Sequence, residues 1–205
     1  MHDLSDATFI MPLRIESSDR LRNVVLSLAY LLSNFKTNVI IEEVDKESKF
    51  QRHAASQVES LGIDMSAITL LYEENDDPIF HRTRILNDML MESDTTVVVN
   101  YDCDVVFPVS SYLDAYKMIC EDGYDLVYPY GQGHWQMKVP VNQKLIDKFV
   151  ISGFQEDAFA NHPDNEVSTS DYGWAQFFKR QSYICLLYTS PSPRDLSTSR
   201  MPSSA

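Results

Sequence analysis

Thr95-Thr96-Val97-Val98-Val99-Asn100-Tyr101-Asp102-Cys103-Asp104 is the stretch on which the fold turns. Its five leading residues are all β-branched, which suits a short strand buried on both faces. Two carboxylates one residue apart follow where that strand must end. Working upstream, residues 8–15 read as a buried strand interrupted by Pro12. Ser17 or Ser18 then caps a helix whose apolar positions Leu21, Val24, Val25, Leu28, Leu31 and Leu32 recur at helical spacing. A second strand is predicted over 38–41 and a polar helix over 47–61, stopped by Gly62. A third strand covers 67–72, and a helix runs from Pro78 to about Met91. Downstream come a helix over 110–121, a turn at Gly123 and a fifth strand over 125–130. Such alternation predicts an α/β fold, a mostly parallel sheet flanked by helices on both faces. From 131 to 171 the pattern loosens, with a short strand at 139–141, a helix at 143–151 and a polar loop at 161–170. Order returns over 171–184.

The chain has 205 residues, 44% hydrophobic and 23% charged, enough for one domain with a sizeable core. Its formal net charge of −13 would repel a phosphate backbone over most of the surface, which argues against nucleic acid as a partner. A small anion remains compatible where local cations or a metal reverse the field. Residues 1–8 lack the basic and apolar runs of a signal peptide, and no apolar segment approaches the roughly 20 residues that span a bilayer. Cys103, Cys120 and Cys185 have no CxxC spacing and read as free thiols, so a cytoplasmic location is expected. Residues 189–205 are mostly Ser, Thr, Pro and Arg and cannot bury enough surface to offset their ordering entropy. Residues 186–195 also resemble a tail found on many unrelated environmental reading frames, where it looks like translated adapter sequence. The expected organisation is therefore one domain over 1–184, incomplete at its C-terminus, followed by a disordered non-native tail over 185–205.

Asp102 and Asp104, just past a buried strand, can face one cation. Hard oxygen ligands suit Mg2+ or Mn2+, which could bridge them to a diphosphate. In open α/β sheets, the edge beyond the strand C-termini is where ligands bind. With 19 aspartates in the chain the triplet by itself proves nothing; its position after the fourth strand of a βα series gives it meaning.

Phe80-His81-Arg82-Thr83-Arg84-Ile85-Leu86-Asn87 resembles the Phe-Asn-Arg-Ala-Lys-Leu-Leu-Asn run of β-1,4-galactosyltransferases and their bacterial and viral relatives. In those proteins the run also precedes the strand bearing the D-x-D motif. The resemblance implies a GT-A glycosyltransferase fold, a nucleotide-sugar donor (a UDP-sugar), a glycan or other hydroxyl acceptor, and Mn2+ or Mg2+ as cofactor. It further implies that Asp102 and Asp104 bind the metal, that Arg82 contacts the donor diphosphate, and that Asn87 orders the nearby loop. A guanidinium at the first turn of a helix is well suited to a diphosphate. Pro12-Leu13-Arg14 resembles the family's Pro-x-Arg at the end of the opening strand, where base and ribose sit. One of Glu42, Glu43 and Asp45, with Glu43 as the candidate, matches the place where many GT-A enzymes hold the uridine. Gly173-Trp174 resembles the family's Gly-Gly strand leading to the acceptor side. The Trp-Gly-x-Glu-Asp element that should follow, with the catalytic base, is absent. Glu156-Asp157 precedes Gly173 and so is out of order for that role.

Two other readings fit parts of the sequence. Asp102-Cys103-Asp104-Val105-Val106 matches the Asp-x-Asp-x-Thr/Val of haloacid-dehalogenase-type phosphatases, with Asp102 as nucleophile and Asp104 as general acid. That motif normally opens its domain, whereas three βα units come first here. The chain could also be a sugar-nucleotide-binding domain without catalysis. A nucleotidyltransferase would need a glycine-rich phosphate loop after the first strand, and residues 13–20 contain no glycine.

Overall fold

In the computed structural model, residues 1–131, 135–140, 142–160, 162–169 and 173–189 are described. Strand β1 (His2–Leu13) leads through helix α1 (Ser18–Asn34) to β2 (Phe35–Asp45). A π-helical turn (Phe50–Ala54) continues into α2 (Ala55–Ser60), and β3 (Ile68–Glu74) follows. Next come α3 (Arg82–Glu92), β4 (Val97–Tyr101), α4 (Val109–Cys120) and the short β5 (Leu126–Val127). The remaining elements are β6 (Trp135–Lys138), α5 (Gln143–Ile151), β7 (Glu166–Thr169), β8 (Ala175–Lys179) and α6 (Arg180–Thr189).

Six strands form one sheet in the order β3-β2-β1-β4-β8-β5. The neighbours among β1 to β4 pair in parallel, whereas β8 is antiparallel to both β4 and β5. The predicted mostly parallel, helix-flanked sheet is what forms. The antiparallel insertion of β8, which sequence alternation did not show, brings Ala175 beside Tyr101. A separate two-stranded ribbon pairs β6 with β7, so residues 166–169 are a strand where their polarity predicts a loop. Helix α6 runs through Thr189, past Ile184, where composition puts the end of the ordered domain; residues 190–205 lie outside the described part.

The sheet separates two apolar layers. Phe9, Met11, Val39, Ile41, Val97 and Val99 pack with α1 and α4 on one face. Ile10, Ile40, Val44 and Val98 meet Ile85, Leu86, Met89 and Leu90 of α3 on the other. The chain steps from β1 to β3 on one side and returns to β4 on the other side of β1. The β1/β4 seam is thus a topological switch point, with α1 and α3 on opposite faces.

β2 puts its acids inside the fold, contrary to the surface position their charge suggests. Glu42 lies between Ile40 and Val44 on the α3 side, is only 5% exposed, and has one carboxylate oxygen without a partner among the described residues. Burial pushes its carboxyl from the ordinary 4.5 up to about 7; Asp88 and Glu73 add to the rise and Arg84 opposes it. The folded protein therefore keeps a proton that the unfolded chain releases, and stability falls as pH rises through about 4.5 to 7. Glu42→Gln should stabilise the protein by about 1–2 kcal/mol at pH 8 and hardly at all at pH 4.5. Urea midpoints at the two pH values check this; an equal shift at both would refute it.

Candidate functional site

The loop after β4 is fixed from three sides. The Phe107 N–H donates to the Tyr112 hydroxyl at 3.2 Å, and the Tyr101 hydroxyl donates to the Val105 carbonyl at 2.6 Å. Tyr112 and Tyr101 hydroxyls meet at 2.6 Å, so the single proton of each is accounted for if Tyr112 donates to Tyr101. From α1, the Ser27 hydroxyl donates to the Cys103 carbonyl at 2.8 Å. From the β8 side, the Asp102 N–H donates to the Trp174 carbonyl at 2.9 Å, extending the ladder by one residue. Asp102 and Asp104 are thus carried on a well-anchored segment at the C-terminal edge of the β1/β4 seam.

Arg82, the first residue of α3, places Nη2 2.5 Å from Asp102 Oδ1. Burial pushes the Asp102 carboxyl up, Arg82 opposes the rise, and Asp104 adds to it. Asp104 is exposed. Among the described residues, no group of three or more His, Cys, Asp and Glu side chains is placed to hold a metal. Two carboxylates nevertheless fit the mode in which Mg2+ or Mn2+ takes one or two protein oxygens and completes its shell with phosphate and water. Arg84, by contrast, is engaged elsewhere, 2.7 Å from Glu73 and 3.1 Å from Asp88.

The other sequence candidates divide. Arg14 follows β1 and stays at the same edge: Nε donates to the Val44 carbonyl at 2.9 Å, and the guanidinium lies 5.3 Å from the Phe80 ring centre. Its Nη2 is buried without a hydrogen-bond partner among the described residues. Pro12 is buried opposite Glu42, past the part of β1 that pairs with β4, so its missing N–H costs no bond on that side. Asn87 is half-buried on α3 and makes no hydrogen bond to the Asp102 loop among the described residues. Glu43, the candidate for the uridine, has its carboxylate engaged within the fold. It is fully buried, and its carboxylate accepts from the Ser48 hydroxyl (2.7 Å) and the N–H groups of Lys49 (2.9 Å) and Phe50 (3.0 Å). It caps the turn that enters α2.

A cleft of about 760 Å3 opens on the α1 side of the carboxylate pair. Asp102, Asp104 and Trp174 line it together with Arg22 and Asn23 of α1 and with Glu156 and Asp157. Trp174 is half-buried, its ring 4.9 Å from that of Tyr130, which in turn stacks on Phe107 at 5.7 Å. Gly173 has φ 124°, a conformation that side chains strain, and its N–H donates to the Tyr130 hydroxyl at 3.1 Å. Folding brings Glu156 and Asp157 to the site although chain order argues against them. His134 and residues 170–172 lie outside the described residues. Among the described residues, no helix is long and apolar enough to cross a membrane.

No protein-family model matches the chain, and no curated protein matches it by sequence. Among solved structures it is similar to a mannosyltransferase from Pyrobaculum calidifontis in complex with GDP-Man and Mn2+, at 16% identity and TM-score 0.48 over 86% of this chain. It is also similar to glucosyl-3-phosphoglycerate synthase from Mycobacterium tuberculosis, at 10% identity and TM-score 0.43 over 85% of the chain. A third likeness is to CMP:2-keto-3-deoxy-manno-octonic acid synthetase complexed with CTP, at 10% identity and TM-score 0.46 over 94% of the chain. The chain spans 45%, 57% and 82% of those three proteins respectively. Scores of this size carry no conclusion about activity.

Proposed function

We propose that the chain is the nucleotide-sugar-binding part of a GT-A-type glycosyltransferase, which moves a sugar from a nucleoside-diphosphate donor, a UDP-sugar, to a hydroxyl of a glycan or other acceptor. The observation that carries this reading is the meeting of Asp102, Asp104 and Arg82 at the C-terminal edge of the β1/β4 switch point. Carboxylates alone would repel a diphosphate; a cationic side chain beside them gives both a metal-binding and a phosphate-binding half. Arg82 would hold diphosphate oxygens, and Arg14, with one buried donor unpaired among the described residues, would serve the nucleoside end. When bound by Asp102 and Asp104, Mn2+ or Mg2+ would neutralise the charge that develops on the departing nucleoside diphosphate. Trp174 would offer an aromatic face to the sugar on the cleft side.

Calorimetry with UDP and Mn2+ tests the reading. The wild-type chain should bind, and Arg82→Ala should weaken binding by about 1.5–3 kcal/mol, the range for hydrogen bonds to charged groups. Arg84→Ala, whose guanidinium is held by Glu73 and Asp88, should cost much less. Equal and negligible effects would remove Arg82 from the site. Trapping of a phosphoaspartate at Asp102 would move the chain to the phosphatase reading.

A further inference from the structure

Arg20 is a cation of the site that neither motif nor resemblance singles out. It is the third residue of α1, half-buried, and its Nη1 donates to Cys103 Sγ at 3.5 Å. Ser27, seven residues on along the same helix face, donates to the Cys103 carbonyl. This register fixes the first turn of α1 against the segment that carries the two aspartates. A thioether-like or thiol sulfur is a weak acceptor, while a guanidinium carries five N–H donors. Among the described residues, no other acceptor lies within hydrogen-bonding distance of the Arg20 side chain. Contact with the Cys103 sulfur and the charges of Asp104 and Glu16 hold this guanidinium above its usual value, against its partial burial.

The position relative to Arg82 is the second observation. Helices α1 and α3 pack on opposite faces of the sheet, yet both begin at its C-terminal edge. Each places an arginine in its first turn, one against Asp102 and the other against the Cys103 sulfur beside Asp104. The two helix N-termini add their positive ends to the same place. An array of two carboxylates between two guanidinium groups suits a ligand with several anionic oxygens.

We propose that Arg20 is a second diphosphate contact of the donor site, approaching from the α1 face while Arg82 approaches from the α3 face. This rests on the nucleotide-sugar reading above. Binding would swing the free N–H donors of Arg20 onto phosphate oxygens, leaving Ser27 to hold the loop.

The test is calorimetry of the full 205-residue chain with UDP and, separately, inorganic pyrophosphate, each with Mn2+. Arg20→Ala should weaken both by about tenfold or more, the scale of one charge-assisted hydrogen bond. Arg20→Lys should recover part of the loss, and the unfolding midpoints of both variants should stay near that of the wild type. Unchanged affinity in Arg20→Ala, with wild-type binding intact, overturns this inference and leaves the nucleotide-sugar reading standing. Equal losses in the alanine and lysine variants, with a lowered unfolding midpoint, assign Arg20 to holding the loop and overturn it too. Failure of the wild-type chain to bind either probe removes both proposals.

Discussion

Asp104→Ala should abolish Mn2+-dependent UDP binding, a loss of at least about 100-fold or ~2.7 kcal/mol. The sign of this effect is diagnostic. In a chain of net charge −13, deleting a carboxylate beside a diphosphate site should, by charge alone, improve the binding of an anion. Only a cation shared by carboxylate and phosphate reverses that expectation. Asp104 is exposed and makes no hydrogen bond or ion pair among the described residues, so its removal should leave stability within about 0.5 kcal/mol. Asp102 is a poorer probe, because its loss also frees Arg82. Chelation should reduce wild-type affinity to the level of the variant and leave the variant unaffected. Tighter binding by Asp104→Ala, or indifference of the wild type to chelation, would end the metal assignment.

The features that were legible in the sequence are those that depend on short-range pattern. The β-branched run into Asn100 gave β4, and the helical spacing from Leu21 to Leu32 gave α1. Alternation of the two gave the layered sheet. What escaped depends on partners far along the chain. Order is expected over 171–184, yet nothing local says that β8 inserts antiparallel between β4 and β5. The helix predicted from Pro78 begins only at Arg82. Asn75 and Asp77 first bond their own backbone, accepting from the N–H groups of Asp77 and Ile79, which keeps the chain turning. In the site, Asp102 and Asp104 were visible because their spacing is local, and Arg82 because the run over 80–87 resembles a family motif. Arg20 looks like any polar residue on an amphipathic helix until α1 is docked on the Cys103 loop. Glu156 and Asp157 reach the cleft wall from a later part of the chain.

Glu43 is where charge pattern misleads most, and its replacement should show the largest stability effect. An acidic Glu42-Glu43 pair beside Asp45 suggests a solvated loop or a ligand contact, but β-strand alternation sends Glu42 to the α3 face and Glu43 to the α1 face. There Glu43 is fully buried and accepts from Ser48, Lys49 and Phe50, so one carboxylate satisfies two backbone N–H groups and a hydroxyl at the entry to α2. The N–H of Phe50 is itself buried. Glu43→Ala leaves these donors without their acceptor and opens a void between β2 and that turn. The expected cost is about 3 kcal/mol, from lost charge-assisted hydrogen bonds and stranded donors. For a domain of this size that lowers the unfolding midpoint by about 6–12 °C. Glu43→Gln keeps the volume and one acceptor oxygen, so it should cost less while leaving UDP affinity unchanged, measured below its unfolding transition. A normal midpoint in Glu43→Ala would refute the capping role. A Glu43→Gln protein of full stability that had lost UDP binding would restore Glu43 to the donor site.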